Sequence, residues 1–142
     1  MNTALLTTDH PNRFPVSIKA VLFTEAGEVV LLKNDRGEWE LPGGRLEAGE
    51  TPPQCLLREI DEELGVAAEV GALLDAYVFE VIPGRHVFIV TYACQTVGAF
   101  RPVLSDEHLV WTLCRPDALP ENLPAGYRES IIRAMPEQSP TP

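Results

Sequence analysis

The sequence predicts an α+β domain built on a mixed sheet, and three observations carry that prediction. Strand-like runs come in pairs joined by short glycine turns, which makes them hairpins. A sharply framed helix follows the first pair, and a second closes the chain. The helices sit among hairpins instead of alternating with single strands, so a mixed-sheet sandwich follows more readily than a doubly wound sheet.

Residues 1–15 hold two prolines and little periodicity and read as a loose arm. "SIKAVLFTEAGEVVLLKNDRG" reads as two strands turning at "EAGE". "EWELPGGRLEAGET" is turn-rich, a loop with a brief strand at Trp39–Leu41. A helix follows over about 52–64. Thr51 is its N-cap, Gln54 completes a capping box, and Pro52 falls at the first helical position, where the missing N–H costs nothing. Gly65 closes it as the residue after the last turn. Two further strand-like runs, "VAAEVGALLDAYVFEVI" and "RHVFIVTYACQTV", meet at the Pro83-Gly84 turn and predict a long hairpin. "HLVWTLC" is another strand, and "AGYRESIIRAM" a C-terminal helix with Tyr127, Ile131 and Met135 on one face. One domain over 16–135 results, with a disordered tail, "PEQSPTP", at 136–142.

At 142 residues the chain can bury a real core without disulfides. Its apolar fraction of 45% and charged fraction of 23% are ordinary for a globular protein. No apolar run approaches the ~18 residues of a membrane span, and the N-terminus does not read as a signal peptide. Cys55, Cys94 and Cys114 are odd in number and lack CxxC spacing, which predicts reduced, buried thiols in a cytoplasmic protein. A net charge of −10 argues against polymeric nucleic acid as a partner, since backbone binding needs a basic face. A small anionic substrate is allowed if a cation screens the protein's own charge.

That condition bears on "REIDEELG", which puts Glu59, Asp61, Glu62 and Glu63 into five positions. On a helix, Glu59 and Glu63 repel one turn apart, and carboxylates in the last turn oppose the helix dipole. At about 100° per residue, Leu56, Leu57, Ile60 and Leu64 make the core stripe. Glu59, Glu62 and Glu63 share the neighbouring arc, while Asp61 points to solvent. Such an arc is either a solvated acidic face or a site for a hard cation, Mg²⁺ or Mn²⁺, which takes oxygen ligands. Arg58 pairs with Glu62 or reaches back to Glu50, where bidentate geometry would tie the loop to the helix.

From Gly44 the chain runs "GRLEAGETPPQCLLREIDEELGV". Gly44, Glu50, Arg58, Glu59, Glu62, Glu63 and Gly65 fall at the fixed spacing of the Nudix box, and the stretch resembles the Nudix hydrolase family. Seven fixed residues match by chance at roughly one start in 10⁸. The resemblance implies an α/β/α sandwich with a mixed sheet. It also implies a Mg²⁺- or Mn²⁺-dependent enzyme that hydrolyses a nucleoside diphosphate linked to another group. Residue by residue, it puts Glu59, Glu62 and Glu63 at metal-ligand positions, with a glycine carbonyl at Gly43 or Gly44 beside them. Glu50 and Arg58 take the positions that brace the loop. A carboxylate outside the box is expected as base or extra ligand, Glu107 first, with Glu80 and Asp106 as rivals. The attacking water would be oriented by Glu62 or Glu107.

Lys33, Arg36, Arg45 and Arg85 are either solvated surface charges, the commoner role, or phosphate contacts, for which Arg45, inside the box loop, is the best placed. Trp39 either stacks on a base or closes the sheet edge. Cys55 falls beside the carboxylates, but thiolate is a poor Mg²⁺ ligand, so packing is its expected role. The alternative to an enzyme is a Nudix-fold module that binds a nucleotide or ADP-ribose without cleaving it. An isoprenoid diphosphate isomerase is a third reading. A complete box favours catalysis, and a homodimer is compatible with the family.

Overall fold

The computed structural model describes residues 12–106 and 110–136. The expectations of a loose arm and a disordered tail fall largely outside those residues. The elements run β1 Val16–Phe23, β2 Val29–Lys33, β3 Trp39–Glu40, β4 Gly43–Arg45, α1 Pro52–Leu64, β5 Ala68–Ile82, β6 Arg85–Thr96, β7 Val110–Cys114 and α2 Ala125–Ala134. The main sheet path is β3-β2-β1-β6-β5, with β4 added to β1 and β7 to β2. β1 and β6 run parallel, with Ile18 opposite Val90 and Leu22 opposite Cys94, while β5 and β6 form the expected antiparallel hairpin. The sheet is therefore mixed.

Because β1 is central, its alternating side chains feed two cores. Ile18, Ala20 and Leu22 pack with Leu56, Ile60 and Leu64 of α1. Val21 packs on the other side with Leu31, Ile89, and Tyr127 and Ile131 of α2. One helix on each face completes the α/β/α sandwich. A hydrogen bond of 2.9 Å between the hydroxyls of Thr91 and Ser130, both buried, pins α2 to the sheet.

α1 has the predicted bounds and caps. The Gln54 N–H donates to the Thr51 hydroxyl at 3.3 Å, and the Thr51 N–H donates to the Gln54 carboxamide at 2.9 Å. Gly65 is left-handed at φ 65°, and its N–H donates to the Asp61 carbonyl. Two side-chain expectations differ, those for Leu57 and Met135. Leu57 is 41% exposed, whereas Cys55 is fully buried in the core. The helix is rolled towards the box loop, so its buried stripe begins at Cys55. Met135 lies past the end of α2 and is exposed, while Ser130 takes a buried place beside Tyr127 and Ile131. β4 was also unforeseen: within the glycine loop it pairs with β1 and joins the sheet. None of the described helices is long and apolar enough to cross a membrane.

Candidate functional site

The site is built where β4 lies on β1. Ile18 stands opposite Gly44, and Lys19 opposite Gly43. Gly43 has φ +137°, and a Cβ there would run into the Ile18 carbonyl and the Lys19 backbone, so only glycine fits. At Gly44 a Cβ would lie 2.5–2.6 Å from the carboxylate of Glu59. The second glycine thus leaves a cradle that the Glu59 carboxylate occupies. Glu63, one turn on and 4% exposed, accepts the Gly43 N–H at 2.7 Å. Two of the helix carboxylates are therefore docked against the glycine strand.

Arg58 organises the edge beside them. Its Nε and Nη2 grip Glu50 through both carboxylate oxygens at 3.0 and 2.8 Å, the bidentate fork. Nη2 also donates to the Arg45 carbonyl at 3.1 Å. Nη1 donates to Glu59 at 2.9 Å and reaches Glu62 at 3.4 Å. Glu50 also accepts the Glu47 N–H at 2.8 Å. The Arg58 bonds, helped by that amide, hold the Glu50 carboxyl down at about 2. Arg58 in turn is held above its ordinary value by the hydrogen bond to Glu50. Burial pushes the Glu59 carboxyl up, against the pull of Arg58.

The three carboxylates are not equivalent. Glu59 and Glu63 line a cleft of about 630 Å³ together with Gly43, Gly44, Arg45 and Asp106. Glu62 lies outside that lining with its side chain 57% exposed, turned towards Arg58. Among the described residues no three His, Cys, Asp or Glu side chains stand grouped to hold a metal ion. The converging triad expected on the helix arc is thus a docked pair plus an exposed third, because Arg58 and the Gly43 N–H each claim a carboxylate. The donor chemistry still suits a hard divalent cation: the carboxylates of Glu59, Glu63 and Asp106 line one cleft with the Gly43–Gly44 backbone. Cys55 offers no thiolate. Its thiol is pushed up to about 12 by burial, and it packs against the Gly44 and Arg45 carbonyls.

A narrower cavity of about 180 Å³ adjoins this cleft and shares Asn34, Arg36, Glu40 and Arg45 with it. Its apolar wall includes Trp39, Phe79, Val87 and Tyr127. Trp39 lines this cavity and also carries Lys33 over its ring at 5.2 Å, so it serves packing and cavity wall together. Arg36 is paired with Glu38 at 2.6 Å. Arg45 is exposed at the junction of the two spaces. Of the carboxylates named outside the box, Asp106 lines the cleft, whereas Glu80 pairs with His86 at 3.0 Å on the β5–β6 hairpin. Glu107 lies outside the described residues.

Sequence reasoning missed Lys19. It is 8% exposed, lines the narrower cavity, and directs Nζ at the Leu41 carbonyl (3.3 Å) and the Gly43 carbonyl (3.5 Å). Burial lowers its proton affinity, but Tyr127, Glu40, Glu63 and Glu59 more than restore it, so the ammonium stays charged. The signal was a single lysine inside the apolar run "VSIKAVLF", a pattern that in a central strand means a buried cation.

Comparison with known proteins agrees with this architecture. A NUDIX domain model matches residues 13–134. A MutT-like protein of Streptomyces ambofaciens is 31% identical over 126 residues, 88% of this chain and 79% of that protein. An 8-oxo-dGTP diphosphatase of Proteus vulgaris is 48% identical over 59 residues, 39% of this chain and 52% of that protein. A CTP pyrophosphohydrolase of Escherichia coli is 28% identical over 107 residues, 72% and 77% of the two chains. Among solved structures, a MutT NUDIX hydrolase from Burkholderia pseudomallei superposes with a TM-score of 0.75 at 28% identity, covering 87% of this chain and all (100%) of that one. Fold, box and matches converge: the chain belongs to the NUDIX family.

Proposed function

We propose that the protein is a Mg²⁺- or Mn²⁺-dependent hydrolase that cleaves the phosphoanhydride of a small nucleoside diphosphate derivative. The observation that carries this reading is the docking of Glu59 and Glu63 against the glycine strand at the mouth of a cleft. The relatives named for 8-oxo-dGTP and for CTP support nucleotides as the substrate class and differ in the base. Glu59, Glu62, Glu63 and the Gly43 carbonyl would hold the metal, with Gly44 leaving room for Glu59 and Gly65 ending the helix they sit on. When bound, the metal supplies a lowered water pKa and charge neutralisation on phosphoryl oxygens.

The remaining work falls to the chain. Arg58 and Glu50 hold the box loop on α1 and aim Glu59 at the cleft. Arg45, at the junction of the two spaces, would meet a phosphate, and Trp39 would lie against the organic part of the substrate. Glu62, exposed at the helix edge, or Glu107 orients the attacking water and accepts its proton. The complete box and the open cleft favour an enzyme over a binding module. Incubation with nucleoside triphosphates, ADP-ribose, dinucleoside polyphosphates and nucleotide sugars tests the reading, with products followed by mass spectrometry. Cleavage in Mg²⁺ that stops in EDTA is expected, and Glu62→Gln should lower turnover by about 10²-fold or more. Ligand binding without cleavage of any substrate would instead identify a sensing module.

A further inference from the structure

Lys19 has no part in the scheme above, yet it is the most deeply buried cation beside the acidic mouth. Its place is fixed by the register of β1 on β4, which sets it opposite Gly43. Nζ reaches the Leu41 carbonyl at 3.3 Å and the Gly43 carbonyl at 3.5 Å. The Gly43 N–H is in turn bonded to Glu63 at 2.7 Å, so Lys19 and Glu63 hold the two sides of one peptide segment. Arg45 is exposed, and its charge is screened by water and salt. At 8% exposure Lys19 is screened much less.

We infer that Lys19 is a resident counter-cation of the carboxylate edge, one that engages the Leu41 and Gly43 carbonyls and weakens the binding of free divalent metal. Two effects share this sign. The ammonium repels a second cation brought to Glu59 and Glu63. It also occupies the Gly43 carbonyl, an oxygen that a metal there would use. A diphosphate changes the balance, because its negative charge offsets the ammonium. Metal and substrate would therefore load together, each raising the affinity for the other. The inference rests on the metal reading proposed above and concerns how that site is regulated.

Lys19→Met keeps length and burial and removes the charge. Mn²⁺ binding without substrate, followed by electron paramagnetic resonance at pH 8, reads the effect apart from activity. Lys19→Met should bind Mn²⁺ about tenfold more tightly than wild type, a difference of about 1.4 kcal/mol. Lys19→Arg should keep the wild-type affinity. A non-cleavable diphosphate analogue should tighten Mn²⁺ binding several-fold in the wild type and less in Lys19→Met. If Lys19→Met folds poorly, the Mn²⁺-induced rise in Tm of Lys19→Gln serves instead and should exceed that of wild type. Lysine acting as a mere packing group predicts the opposite: equal or weaker Mn²⁺ binding in Lys19→Met, which overturns the inference while leaving the metal reading intact. Absence of Mn²⁺ binding to wild type, with or without the analogue, overturns both.

Discussion

Arg58 touches Glu50, Glu59, Glu62 and the Arg45 carbonyl through three nitrogen atoms, and each contact constrains a different part of the site. The Glu50 contact has a pH signature. Its carboxyl is lowered from 4.5 to about 2, so the stabilisation it gives is complete above 4.5 and is lost as pH falls towards 2. Glu50→Gln should flatten that part of the stability curve, measured by urea unfolding from pH 6 down to 2. An unchanged slope would remove Glu50 from the brace. Gly44 offers a cleaner separation of fold from function. In Gly44→Ala the new methyl meets the far end of the flexible Glu59 side chain. Stability should change by no more than about 1 kcal/mol, while the displaced carboxylate should cost turnover on the order of 10²-fold. Wild-type activity in a folded Gly44→Ala protein would show that Glu59 does not need that cradle.

At the scale of elements, α1 was almost fully legible, because its caps are local chemistry. Thr51, Gln54, Pro52 and Gly65 act within a few residues of themselves, and the structure has all four in place. Which way the helix rolls on the sheet depends on partners distant in sequence, and there the reading failed for Leu57. The difference is measurable by chemical unfolding. Ile60→Ala, at a fully buried position, should cost about 2–5 kcal/mol, and Leu57→Ala less than about 1. Equal costs would put Leu57 back in the core stripe. The three-residue β4 escaped for a similar reason. Two glycines and an arginine carry no strand signal, and the pairing comes from how closely a Cβ-free chain approaches β1.

For the molecule as a whole, the charge of −10 is opposed to the anionic substrate proposed above, and basic side chains at the site reconcile the two. Lys19, Arg36 and Arg45 line the narrower cavity, while Glu59, Glu63 and Asp106 line the adjoining cleft, which shares Arg36 and Arg45 with it. The box residues could be placed from sequence because their spacing is contiguous. Lys19, Glu40 and Tyr127 reach the narrower cavity from three separate segments, and only the folded chain brings them together. Whether the docked carboxylates form a divalent cation site is decided by a Mn²⁺ titration of wild type and Glu59→Gln. Electron paramagnetic resonance should show stoichiometric Mn²⁺ binding to wild type in the presence of a non-cleavable diphosphate analogue, weakened at least about tenfold by Glu59→Gln. Equal Mn²⁺ binding by the two proteins, or none by either, would mean that Glu59 and Glu63 do not form such a site.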